Sequence, residues 1–282
     1  MKIKNLILCT AVSLTAICFA SCKKDNTTNS SEDEITTTVE LSSNDAITEN
    51  ITEDANDILM ETSVTNNFSG SAPVTATQSM NILGCATVDI SPAQGFPKTI
   101  TIDFGSGCTI GDVTRKGIIT IVVSDSIRKS GSVAVMSFTN YYVDGFKKEG
   151  TITWTNTSQG GVRSWQRTCE NGKITAPDGT YWLHNGTKEV VQVGGISTPH
   201  NLLDDVYSIT GTHTVTNAAG KTRTSTIIEP LEKKVICENV DKGTVKIEGA
   251  NHTATVDFGG GSCDRIATIS IDGRDPKTIL LR

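Results

Sequence analysis

The stretch Cys237–Cys263, CENVDKGTVKIEGANHTATVDFGGGSC, decides the fold. Two runs in which Thr alternates with Val and Ile flank a short Gly-Ala-Asn-His break, and the second run closes on Asp257-Phe258-Gly259 before a glycine-rich turn into a cysteine. Alternation with a period of two, bounded by turn residues, is the signature of half-buried strands joined in a hairpin. A looser copy, CATVDISPAQGFPKTITIDFGSGC, runs from Cys85 to Cys108 and ends on the same Asp-Phe-Gly, here Asp103-Phe104-Gly105. The chain therefore reads as internally duplicated. A second echo agrees: Glu149-Gly150-Thr151-Ile152-Thr153-Trp154 resembles Thr210-Gly211-Thr212-His213-Thr214-Val215, and a Cys-Glu-Asn follows each, at Cys169 and Cys237.

Working outward, residues 74–282 show no sustained helical period, and turn pairs recur throughout. Asp144-Gly145, Asn171-Gly172, Asp178-Gly179, Asn185-Gly186 and Asp272-Gly273 are the pairs that tolerate positive φ at tight hairpins. With Asp144-Gly145 as a turn, Val143 should face Phe146, Tyr141 should face Lys148, Ser137 should face Ile152 and Val135 should face Trp154, which makes Trp154 a core anchor. The fold class expected is all-β, an antiparallel β-sandwich or meander over 72–282 with two related halves, about 72–170 and 171–282.

The other end of the chain sets the address. Lys2 and Lys4 precede an apolar run from Leu6 to Ala20, too short to span a bilayer, and Phe19-Ala20-Ser21-Cys22 looks like the site cut by lipoprotein signal peptidase. Residues 1–21 then read as a cleaved signal peptide and Cys22 as an acylated N-terminus. Several acyl chains, at about 0.8 kcal/mol per buried CH₂, would anchor the protein to a membrane. Residue 23 is Lys rather than Asp, which favours the outer membrane. From 22 to 71 the composition of Ser, Thr, Asn, Asp and Glu reads as a flexible tether, with one short helix at 53–63 capped by Thr52 and ended near Gly70.

Taken together, Gly243–Ile247, Thr255–Gly259, Cys263-Asp264, Ala267–Ile269 and Gly273, with Phe96–Gly105 and the start Cys22-Lys23-Lys24-Asp25, resemble outer-membrane lipoproteins of Bacteroidota-type bacteria. The resemblance implies a surface-exposed or periplasm-facing β-domain and carries no catalytic or binding residues with it. Asp125-Ser126-Ile127 resembles the O-glycosylation sequon of exported proteins in such bacteria, with Ser126 as acceptor.

The remaining chemistry is sparse. The chain carries 25 Lys and Arg against 31 Asp and Glu, net −6, and no basic stripe interleaved with aromatics, so nucleic acid is not an expected partner. In an oxidising compartment the duplicated geometry pairs Cys85 with Cys108 and Cys237 with Cys263, leaving Cys169 over; pairing of Cys169 with Cys237 is the alternative. No C-x-x-C spacing supports zinc, and no cofactor or metal is expected. The Asp-Phe-Gly triplets lack the other parts of a kinase site and read as strand ends, with Asp accepting turn amides, Phe packing inward and Gly at unusual φ. His184, His200, His213 and His252 lie in separate elements, although His213 and His252 could meet across strands. Trp165, Tyr181 and Trp182 form the one aromatic concentration suited to a glycan or peptide. The sequence thus points to a non-catalytic structural, adhesion or ligand-binding domain at the envelope, with a glycan or an envelope protein as partner. A secreted glycan-acting hydrolase and an accessory of a polysaccharide-capture complex are the alternatives.

Overall fold

The structure is a computed structural model and describes residues 26–70 and 79–281. One helix, α1 (Asn26–Thr65), is followed by fourteen strands among the described residues: β1 (Thr87–Ser91), β2 (Lys98–Asp103), β3 (Cys108–Ile110), β4 (Val113–Val123), β5 (Val133–Val143), β6 (Phe146–Asn156), β7 (Ser164–Thr175), β8 (Tyr181–Gly194), β9 (Val206–Asn217), β10 (Thr222–Lys234), β11 (Lys242–Glu248), β12 (Thr253–Gly260), β13 (Ile266–Ile271) and β14 (Lys277–Leu280). They form a single antiparallel sheet in chain order, with only β3 off the path, paired to β4. The all-β antiparallel class is therefore what the chain adopts, as a meander in one sheet. Among the described residues β1 and β14 do not pair, so the sheet stays open.

The sheet curls around α1. Every residue from Thr48 to Val64 is buried, which a helix achieves only when it is covered on all sides. The helix is not limited to 53–63, and from Glu34 to Thr65 the chain is held against the sheet rather than free as a tether; residues 22–25 and 71 lie outside the described residues. Composition argued for disorder because Ser, Thr, Asn and acids cannot bury apolar area; α1 instead has its polar groups satisfied in two other ways. Its hydroxyls and amides bond back to carbonyls one turn earlier: Ser42 Oγ to Thr38 at 2.6 Å, Thr48 Oγ1 to Asn44 at 2.8 Å, Asn50 Nδ2 to Ala46 at 2.7 Å and Thr62 Oγ1 to Ile58 at 2.6 Å. Its acids find partners on the sheet, as described below. The helix ends in a Schellman motif: Asn67 takes φ 58°, the Phe68 N–H donates to the Ser63 carbonyl at 2.9 Å, and that of Asn67 donates to Val64 at 3.3 Å. Phe68 is buried, and its carbonyl accepts from the Ile127 N–H, tying the helix C-terminus to the β4–β5 loop.

What lets the sheet wrap is a line of bulges and glycines crossing it. Register shifts fall at Lys116/Ile118, Ser137/Tyr141, Glu149/Thr151, Cys169/Gly172 and Lys242/Thr244, in neighbouring parts of successive strands. Each bulge adds a residue to one strand and increases its bend and twist. At Gly117 φ is +85°, and a Cβ there would lie 2.0 Å from the Asn140 carbonyl oxygen; at Gly211 φ is +134°, with the Thr187 oxygen 2.6 Å away. The Gly150 and Gly211 of the two sequence echoes both lie on this line. Gly117→Ala is expected to destabilise the protein by on the order of 3 kcal/mol, read as a lower urea midpoint at unchanged slope.

The same line explains two corrections. Asn171-Gly172 and Asn185-Gly186 are not hairpin turns but lie inside β7 and β8, where positive φ at Asn171 makes a bulge and Gly186 lets the strand approach His213 closely. Asp144-Gly145, Asp178-Gly179 and Asp272-Gly273 do turn the chain between strands. In the hairpin of β5 and β6, Val143 faces Phe146 and Tyr141 faces Lys148 as expected, but past the bulge Ser137 faces Thr151 and Val135 faces Thr153. Trp154, opposite Ala134, is buried in the core.

Both disulfides form between the expected cysteines, Cys85 with Cys108 and Cys237 with Cys263, with Cα atoms 5.7 and 5.1 Å apart, and Cys169 is free. The Asp-Phe-Gly triplets behave alike. Gly105 N–H donates to Asp103 Oδ1 at 2.7 Å and Gly259 N–H to Asp257 Oδ1 at 2.8 Å, Phe104 and Phe258 are buried, and both glycines have positive φ.

Candidate functional site

Along α1, Asp45, Glu49, Glu53, Asp57 and Glu61 recur every fourth residue, each next to the last on a row that winds about 40° per step round the helix, with Asp54 beside them. All six are buried. The sheet meets them with cations at inward strand positions. Arg115 of β4 holds Asp54 with a two-pronged guanidinium contact, and Tyr141 Oη of β5 donates to Asp54 Oδ2 at 3.1 Å. Arg167 of β7 lies 2.5 Å from Glu53, Lys188 of β8 binds Glu49, and Lys233 of β10 lies 2.8 Å from Asp57. His213 Nε2 of β9 faces Asp45 and lies 3.6 Å from Glu49, and Ser225 Oγ donates to Asp45 Oδ2 at 3.0 Å. Nearer the helix N-terminus, Arg223 Nε donates to Thr38 at 3.0 Å and Asn217 to Glu40 at 3.0 Å.

Burial and pairing compete at each rung. Burial would raise the Glu49 carboxyl, but the Lys188 and His213 charges hold it below the ordinary carboxylate value. Asp57 goes the other way: burial pushes it up to about 6 against the charge and hydrogen bond of Lys233, and Glu53 and Asp54 add like charge. Burial disfavours the charged guanidinium of Arg115, yet Asp54 raises its proton affinity above the usual value. Glu61 is raised by burial, and its Oε1 accepts from the Leu83 N–H at 3.4 Å.

Lys148 of β6 is the exception. It is buried, with Thr52 Oγ1 at 3.4 Å and the Phe138 ring centroid 5.4 Å away, and burial depresses it to about 8. Because the unfolded ammonium keeps its proton up to a higher pH, the unfolded state binds more protons between about 8 and 10.5, and this group's penalty disappears as pH rises through that window. Lys148→Met is therefore expected to stabilise the fold at pH 7 by on the order of 2–3 kcal/mol and to flatten the rise in stability between pH 8 and 10.5. Chemical denaturation across that range checks it.

Asp45, Glu49 and His213 bring two carboxylate oxygens and an imidazole nitrogen within 4.8 Å of one another, donors a divalent metal accepts. The Lys188 ammonium on Glu49 already supplies one positive charge there. Cys169 Sγ lies 3.5 Å from His184 Nδ1, but burial raises the thiol and lowers the imidazole, so the pair stays neutral and is no activated nucleophile. A cavity of about 140 Å³ lined by Asp54, Asp57, Arg115 and Glu238 opens beside the ladder, room for several waters or a small molecule.

The residues singled out from the sequence are dispersed. Cys22 and the signal peptide lie outside the described residues. Trp165 and Trp182 are not ligand-facing: both are buried, with Trp165 Nε1 donating to the Ile127 carbonyl at 2.9 Å and Trp182 Nε1 to Thr48 Oγ1 at 2.7 Å, because the curled sheet turns that face toward α1. Tyr181, on the opposite face, is 38% exposed with Lys173 Nζ 4.7 Å from its ring centroid. Ser126 is half-buried in the β4–β5 loop, where its N–H donates to Asp125 Oδ1. His213 and His252 do not meet: His252 Nδ1 pairs with Asp272 at 2.7 Å. The ladder itself was missed, although the four-residue recurrence of acids from Asp45 to Glu61 was its signal.

Fold and site together define a class of architecture, an open antiparallel sheet wound on a polar helix and closed on it by buried ion pairs. No family model, curated protein or solved structure matches the chain.

Proposed function

We propose that the protein is an envelope lipoprotein, anchored through acylated Cys22 to the outer membrane, whose curled sheet is a rigid, non-catalytic body for structural, adhesive or ligand-binding work. The observation that carries the non-catalytic part is the ladder: its carboxylates, cations and His213 are engaged in holding α1 inside the sheet. The leader, the small residues before Cys22 and the two disulfides support an oxidising, membrane-bound location. A glycan or envelope protein is the partner in this reading. Labelling cells with radioactive palmitate and fractionating them tests it: the intact chain should take up label and sediment with outer membranes, and Cys22→Ala should remain unlabelled and leave the membrane. Label-free protein in the soluble fraction from the intact chain would refute it.

A further inference from the structure

An antiparallel meander places alternate turns at opposite ends. The turns after β9, β11 and β13 lie beside the N-terminal part of α1, as shown by Glu40 binding Asn217, by Glu34 accepting from Asn251 N–H at 2.8 Å and Nδ2 at 2.7 Å, and by Ile35 and Val39 lining one pocket with Arg274 and Asp275. The loops after β4, β6 and β8 share the other end with the helix C-terminus, where Phe68 and Ser69 accept from Ile127 and Arg128. Among the described residues the helix starts at Asn26, four positions after Cys22. Four residue steps reach at most about 14 Å. From Asn26 to the level of Glu34 the helix rises about 12 Å. A tether running to residue 50 would have let the body swing over roughly 100 Å; with α1 locked into the sheet, that freedom is gone.

We infer that the end bearing turns 217–221, 249–252 and 272–276 lies against the bilayer that holds the anchor, and that loops 124–132, 157–163 and 195–205 form the face presented away from it. This rests on the acylation of Cys22 proposed above. Charge at the near end is mixed, with Lys221, Arg274 and Lys277 exposed beside Asp272 and Asp275, so the short connection rather than attraction sets the orientation. The far face carries the exposed apolar side chains Val162, Val193 and Ile196, which are 51%, 52% and 42% exposed.

The test uses the full acylated chain, purified from membranes and reconstituted in phosphatidylcholine–phosphatidylglycerol vesicles, in a Cys169→Ser background. A fluorophore is placed on single cysteines at the near end (Ala219→Cys, Arg274→Cys) or the far end (Gln159→Cys, Ser197→Cys). Energy transfer to a headgroup-labelled lipid is expected to be about twofold or more stronger from the near pair, given a sheet roughly 30 Å tall. Equal or reversed transfer, with mass spectrometry confirming acyl chains on Cys22, overturns the orientation alone. An unacylated Cys22 overturns the lipoprotein reading and the orientation with it. Inserting a flexible Gly-Ser segment of about 20 residues between Asp25 and Asn26 should erase the difference; a difference that survives the insertion overturns the short connection as its cause.

Discussion

A fragment starting at residue 72, which carries every strand but not α1, is expected to remain unfolded: no β-type circular dichroism, no cooperative urea transition and a hydrodynamic radius of an expanded chain. The reason is electrostatic as much as hydrophobic. Without α1, the inward-facing Arg115, Arg167, Lys188 and Lys233 lose the carboxylates of Asp54, Glu53, Glu49 and Asp57. An uncompensated buried charge costs about 3–5 kcal/mol, so four of them cost as much as the whole of the roughly 5–15 kcal/mol by which a domain is stable. The sheet would also lose the apolar contacts of Ile51, Ala55, Ile58, Leu59 and Val64. Supplying residues 26–70 as a separate peptide should restore the cooperative transition. A fragment that unfolds cooperatively without the peptide would show that the sheet has a core of its own and that the helix is an accessory.

The second large effect separates charge from packing at one rung. Arg167→Met leaves Glu53 fully buried and unpaired, and is expected to cost about 3–5 kcal/mol, read from the urea midpoint. The double variant Glu53→Leu, Arg167→Met replaces both partners with apolar groups of similar size and is expected to recover most of that loss, ending within about 1 kcal/mol of the parent or above it. The rung would then serve to specify where α1 sits rather than to add stability. If the double variant is as unstable as the single one, shape at this position matters and charge does not.

Much of the molecule was legible in the sequence because its causes are local. Alternation of Thr with Val and Ile produces strands wherever one face is covered, and Asp144-Gly145, Asp178-Gly179 and Asp272-Gly273 turn the chain through their own φ preferences. The two Asp-Phe-Gly endings need only the amide two residues on, and each disulfide joins cysteines brought together within one short stretch of strands and turns. What required the tertiary structure were the features whose partners are far away in the chain. The run from Asn26 to Thr65 is as polar as a tether and has no apolar stripe, so only the spacing of its acids hints at partners; it is a buried helix because cations more than sixty residues away converge on those acids. Asn171-Gly172 and Asn185-Gly186 carry the same local signal as true turns, and only the curvature of the sheet makes them a bulge and a close approach. Alternation places Trp182 and Tyr181 on opposite faces, but which face is the inside was settled by the direction in which the sheet curls around α1.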